Sequence, residues 1–284
     1  MQVLQPETLD TALRVRSDVP GAVVVAGGTE VMPARNRGDR PGPLLDLSRV
    51  AGLAAVGEGP VRLGAGVTCR RVIEELGDQL PVLAAAARTV ASPQVRNRAT
   101  LGGTLAVADP SADVLAALVA AGAEVEVASA AGARRVAIAA FLTGPFACDL
   151  RAGELVTAVQ VPAAAGPAAY AKVGARNAMA RAACAVAVVL DLERRTAAIA
   201  VAAAGPTPLR AAAAEALVAA EAPWERTDDL ATVWLDEVGA LVAAATAPRS
   251  DRRGSAAYKR HAAAVLARRA LARAWRGRAE PPWA

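Results

Sequence analysis

Two glycine pairs are the residues of this chain whose type and spacing could do chemistry. Gly27-Gly28 lies in VVVAGGTE, directly after the β-branched run Val23, Val24 and Val25. Gly102-Gly103 lies between two small hydroxyl residues, Thr100 and Thr104, in ASPQVRNRATLGGTLAVADPSAD, and acids follow at Asp109 and Asp113. Glycine reaches positive φ without strain and lets a backbone approach a ligand with no Cβ in the way. Successive N–H groups in such a turn form a concavity that binds anions. Thr29, Thr100 and Thr104 can add hydroxyls to the same oxygens. Neither turn has Lys or Arg at its centre. The anion expected is therefore a diphosphate held by main-chain amides, as in a dinucleotide. The bland alternative for each pair is a tight turn and nothing more. The Rossmann glycine signature and the P-loop signature are both absent, so those two forms of phosphate binding are not supported.

Those loops need elements to hold them. Residues 23–25 read as a short buried strand, preceded by a helix over 6–18 with Glu7 and Asp10 early in it and followed by a strand over 44–47. Further on come a strand over 61–65, a helix over 70–76 with Thr68 as its cap, and a helix from Pro81 to about residue 90. A helix over 112–121, a strand over 124–128 and a strand over 155–161 ended by Pro162 complete the first part. The stretch AAAGP at 163–167 is the best domain boundary. Beyond it the pattern predicts strands over 169–173, 183–190 and 197–203, then helices over 210–220, 227–244 and 255–275. Strands followed by helices suit an antiparallel sheet with helices packed on one face, hence an α+β fold.

Composition narrows the function classes. The chain has 284 residues, 54% of them hydrophobic, ample for buried cores. No run reaches about 18 strongly apolar residues, so no membrane span is expected. The start, MQVLQPETLDTALRVR, does not read as a signal peptide. Cys69, Cys148 and Cys184 are far apart and odd in number. That pattern implies no disulfide framework, no metal-ligand set, no iron–sulfur centre on this chain, and a cytoplasmic location. The single histidine, His261, lies far from every glycine loop, so no Ser–His or Cys–His system can be built. The net charge of +5 is concentrated between Arg249 and Arg278, where ten Lys or Arg stand against one acid, Asp251. Such a run is a solvated helix face or a dock for an acidic partner subunit. Aromatics at 3% are too few for base stacking, so nucleic acid is not the expected partner.

AGGTE, LGAGVTCRRVIEE and SPQVRNRATLGGTLAVADPSAD, in that order and spacing, resemble the FAD-binding medium subunit of the molybdenum hydroxylases, the carbon monoxide dehydrogenase and xanthine dehydrogenase family. RRVAIAAFLTGPFACDLRAGELVTAVQVP, AYAKVGARNAMARAACAVAVVLDL, AAAGPTPLRAAAAEALV and SAAYKRHAAAVLARRAL extend the likeness to nearly the whole chain. The resemblance implies a two-subdomain FAD-binding domain of the PCMH type at 1–163 (subdomains 1–55 and 56–163), then a flavoprotein C-terminal domain at 168–284. It implies non-covalent FAD here, with 2Fe–2S clusters on a small partner subunit and the molybdenum cofactor on a large one, in a dimer of heterotrimers.

By the same resemblance Val24, Val25, Ala26, Gly27, Gly28, Thr29, Glu30 and Val31 form the first flavin loop, and Thr100, Gly102, Gly103 and Thr104 the second. Asp113 matches an acid that contacts the cofactor, Val90 and Ala91 line the isoalloxazine pocket, and Lys172 reaches the flavin from the C-terminal domain. Thr68 is either a hydroxyl near the flavin or an ordinary helix cap. Asp113 is either a cofactor ligand or a first-turn helix acid, and the two roles can coexist. Tyr170 packs near the ring or is a plain sheet tyrosine. Thr104 stands where the family usually has Asn, and Val31 where it often has Leu. The implied role is electron transfer from the iron–sulfur partner to an external acceptor, with little turnover by the chain alone. The rival readings are a stand-alone FAD oxidoreductase of the same wider fold and a flavin-free scaffold.

Overall fold

The computed structural model describes residues 2–57, 61–164, 166–226 and 228–278. β1 (Val3–Leu4) leads into α1 (Leu9–Asp18), β2 (Val23–Val25), α2 (Val31–Asn36) and β3 (Leu44–Asp46). α1 begins later than the predicted residue 6. Thr8, in extended conformation, accepts the Thr11 N–H and so fixes the start. The three strands pair in parallel in the order β1-β3-β2.

Next come β4 (Val56–Gly57), β5 (Val61–Gly64), α3 (Cys69–Glu75), α4 (Pro81–Arg88), α5 (Pro93–Arg96), α6 (Leu101–Val107) and α7 (Asp113–Ala120). β6 (Glu124–Ser129), β7 (Gly132–Ala137), α8 (Ile138–Phe141), β8 (Leu142–Gly144), β9 (Ala147–Cys148) and β10 (Leu155–Val161) follow. β4, β5, β10, β6 and β7 lie side by side in that order as an antiparallel sheet. The second glycine pair differs from the expected turn: Gly102 and Gly103 sit in the first turn of α6, with Thr100 as its cap. Glycine is needed there for packing. A Cβ on Gly102 would lie 2.6 Å from Ala65 Cβ and 2.9 Å from Ala65 O.

The last part holds β11 (Ala168–Gly174), β12 (Ala182–Asp191), β13 (Thr196–Ala202) and β14 (Leu209–Arg210), then α9 (Ala212–Glu221), α10 (Thr232–Ala245) and α11 (Ala256–Arg276). α10 starts after the predicted residue 227, which itself lies outside the described residues. The four strands form one antiparallel sheet in sequence order. α9 and α11 cover one face of it, as the α+β reading expects. The other face is covered too, by α4 and α7 of the first part.

That double burial is written into β12, AACAVAVVLD, which is buried at eight of its ten positions. Side chains alternate between faces along a strand. Cys184, Val186, Val188 and Leu190 join the core with α9 and α11. Ala182, Ala185 and Ala187 join the core with α7. Small residues on that side let a whole helix approach. α7 answers with DVLAALVA, all eight residues buried, as a helix apolar on all sides must be.

α11 buries Leu266, Leu271 and Trp275 and turns Arg260, Arg269, Arg273 and Arg276 to solvent. Most of the basic run is therefore a solvated face, with Lys259 the buried exception, held by Asp251 at 2.8 Å. Gly102→Val should cost about 1–3 kcal/mol of stability by overpacking α6 against Ala65, read as a lower urea midpoint by circular dichroism.

Candidate functional site

A cleft of about 920 Å³ opens beside the end of β2 and the start of α6, at the upper end of the range for small-molecule sites. The first glycine loop forms one wall. Gly28 has φ +75°, and a Cβ on Gly27 would lie 1.8 Å from the Arg98 carbonyl oxygen, so both positions demand glycine. Among the described residues, the amides of Gly27, Gly28, Thr29, Glu30 and Val31 donate to no protein acceptor. Five consecutive unpaired N–H groups on a cleft wall can receive an anion, because each is an unmet donor.

The second glycine pair contributes differently from expectation. Leu101 N donates to Val67 O at 2.9 Å, Gly102 N to Ala65 O at 2.8 Å, and Thr104 N to Thr100 O at 3.0 Å. Gly103 N donates to Thr100 Oγ1 at 3.1 Å. These amides are spent on folding, so the main-chain nest is confined to the first loop. What α6 offers the cleft is the exposed, bare surface of Gly103 and nearby hydroxyls. Thr100 Oγ1 accepts from Gly103 and keeps its own proton to donate. Thr104 Oγ1 spends its proton on Thr100 O at 3.0 Å and keeps lone pairs. Thr68 caps α3 by accepting from Arg71 N at 3.3 Å, and it too retains a hydroxyl proton beside the cleft.

Of the residues singled out from sequence, Val24, Ala26, Gly27, Gly28, Thr29, Glu30, Val31, Thr68, Val90, Ala91, Thr100, Gly102, Gly103, Thr104 and Asp113 line this one cleft. Two do not. Val25 is buried, its side chain on the opposite side of β2 from Val24. Lys172 on β11 stands behind the cleft wall: its Nζ donates to Asp113 Oδ2 at 2.7 Å and to Thr89 O at 3.1 Å. Tyr170 OH donates to Asp113 Oδ1 at 2.6 Å. Asp113 therefore has each carboxylate oxygen paired with the C-terminal sheet while it also lines the cleft. The reason is electrostatic, since a carboxylate withdrawn from water must be paired. Burial pushes the Asp113 carboxyl above its ordinary range, against the opposing pull of the Lys172 ammonium and the Tyr170 hydroxyl. Burial, with Asp113 beside it, pushes the Tyr170 phenol well up.

Sequence reasoning missed Arg181, which lines the cleft at the start of β12 and reaches both Glu30 and Asp109. It missed two rim residues as well, Phe146 and Met179, exposed and apolar with φ +56° and +52°. Ala91 shares the feature at φ +37°, its carbonyl held by Arg96 at 3.0 Å. Strained backbone of this kind collects at ligand sites, but no sequence signal marks it when the residue is not glycine. Cys69, the thiol nearest the glycine loops in sequence, is buried, and its pKa is pushed up to about 11 by desolvation. Burial there disfavours the thiolate, the form a nucleophile requires.

Residues 1–164 match the family model described as the FAD binding domain in molybdopterin dehydrogenase, and residues 168–274 the CO dehydrogenase flavoprotein C-terminal domain. The class is thus a flavin-binding oxidoreductase subunit. The medium chain of glyceraldehyde dehydrogenase from Sulfolobus acidocaldarius is 30% identical, covering 94% of this chain and 96% of that one. Subunit alpha of the 6-hydroxypseudooxynicotine dehydrogenase complex of Paenarthrobacter nicotinovorans is 35% identical over 55% of this chain, a match that spans about half (55%) of the relative's own length. The solved structure of reconstituted CO dehydrogenase from Oligotropha carboxidovorans superposes with a TM-score of 0.89 at 31% identity, covering 98% of each chain. The chain belongs to the family of FAD-binding medium subunits of the molybdenum hydroxylases.

Replacing Lys172 by Met strands the Asp113 carboxylate in a buried site. The expected loss is about 3–5 kcal/mol. Adding Asp113→Asn to the same chain should recover more than half of it, as urea denaturation would measure.

Proposed function

We propose that this chain is the FAD-binding, electron-transfer subunit of a cytoplasmic molybdenum hydroxylase complex. It receives electrons from a small subunit carrying 2Fe–2S clusters, fed by a large molybdenum-cofactor subunit, and passes them to an external acceptor. The observation that carries the reading is the run of unpaired amides from Gly27 to Val31 on a cleft of cofactor size. The family match to an FAD binding domain says which dinucleotide it is. Several relatives bear names such as medium chain or medium subunit, which supports partner subunits and, by extension, a dimer of heterotrimers.

In this reading the amides of the first loop and the Thr29 hydroxyl bind the diphosphate. The bare face of Gly103 lets the cofactor lie against α6, with Thr100 donating and Thr104 accepting. Val24, Val90 and Ala91 give apolar surface to the ring system, and Thr68 donates a hydroxyl beside it. The chemistry FAD supplies when bound is exchange of one or two electrons, and the protein binds and tunes it. No general acid, base or nucleophile is assigned, so the chain by itself turns over little substrate. Asp113 and Lys172 serve by holding the C-terminal sheet against α7, beside the cleft.

The test is an absorption spectrum of the purified chain after FAD addition and desalting, with recovery of bound partners. Wild-type protein should retain flavin bands and capture an iron–sulfur and a molybdenum protein; a folded chain without flavin would refute the reading. Gly28→Val forces a β-branched residue to φ +75°, a strain of order 1–3 kcal/mol. It should weaken FAD binding about tenfold or more, measured by titration of flavin fluorescence.

A further inference from the structure

We propose that Arg181 is a positioning residue for the bound dinucleotide: it neutralises Glu30 inside the anion-binding loop and ties that loop to Asp109 across the cleft. This rests on the reading that the cleft holds FAD. Glu30 lies within the same run of unpaired amides that would take the diphosphate. A bare carboxylate there would repel an anionic ligand. Arg181 Nη2 donates to Glu30 Oε1 at 2.8 Å, and Nη1 of the same guanidinium donates to Asp109 Oδ2.

Asp109 is a firm anchor. Its side chain is only 7% exposed, and its Oδ1 accepts from both Ser111 N at 2.9 Å and Ser111 Oγ at 2.7 Å. Arg181 itself is carried by the loop 175–181 between β11 and β12. That loop is braced by Arg176, which donates to Ala178 O at 3.0 Å and Met179 O at 2.6 Å. A planar guanidinium can serve two carboxylates at once in fixed geometry, which an ammonium does poorly. The arrangement draws one residue from each of three separate stretches of chain into one clasp on the cleft wall. The C-terminal part thereby sets the electrostatics of a loop in the N-terminal part.

Glu30 and Arg181 are each about half exposed, at 54% and 49%. Their mutual attraction alone is weak. The effect on FAD therefore comes chiefly from restoring a naked negative charge beside the diphosphate and from loosening the clasp on Asp109. The experiment uses the full-length chain loaded with FAD and follows flavin fluorescence after dilution to obtain the release rate. Arg181→Gln should release FAD about tenfold faster than wild type, with the difference narrowing at high salt. Arg181→Lys should fall between the two. Glu30→Gln placed in the Arg181→Gln chain should bring release back towards the wild-type rate, which a purely structural role for Arg181 would not produce. Melting temperatures of the FAD-free variants report separately on folding. Wild-type release rates in Arg181→Gln, or no recovery in the double variant, would overturn the inference while leaving FAD binding intact. A wild-type chain that never takes up FAD would sink the underlying reading and this inference with it.

Discussion

Asp113 is a carboxylate placed where water cannot serve it, at the first turn of a helix buried on every side. Its two partners, Lys172 and Tyr170, lie two residues apart on β11 and so point to one face of the C-terminal sheet. A charge in that position is tolerable only when the sheet is docked against α7. The contact therefore specifies one arrangement of the two halves of the chain more than it stabilises it, since a buried ion pair gains little over a well-packed apolar one. The reach of Arg181 across the cleft depends on that docking.

The apolar packing makes the same demand. A helix comes closest to a sheet where the facing side chains are short. β12 supplies Ala182, Ala185 and Ala187 on the α7 side while keeping Val186, Val188 and Leu190 for α11. The abundance of alanine in this chain thus has a local structural meaning at β12. α7 is shared between the first core and the C-terminal sheet, so neither half is covered without the other.

The two glycine pairs look alike as sequence and act by different physics. In the first, positive φ at Gly28 and the close approach of the Arg98 carbonyl to Gly27 open a run of unpaired amides. In the second, glycine lets α6 pack on Ala65, and the amides are consumed in doing so. One wall of the cleft thereby offers donors, and the other offers bare surface and hydroxyls. Charge is added from a third direction, through Arg181.

Much of this was legible in the chain. The strand at Val23–Val25, the cap at Thr68, the strand at Leu155–Val161 and the long terminal helix follow from β-branched runs, a capping hydroxyl and apolar periodicity, all local signals. That the two distant glycine motifs line one cleft was expected from the family resemblance, since no local signal in either motif says that they meet. Tertiary structure alone decided the rest. Only the fold shows Lys172 paired with the buried Asp113, and Gly102 reads as a turn until Ala65 is found beneath it. Arg181 carries no local mark because its role lies in the distance to Glu30 and Asp109. Backbone pattern is a property of neighbours in sequence. Which charges must pair, and which amides stay free, depends on what folding brings within about 3 Å.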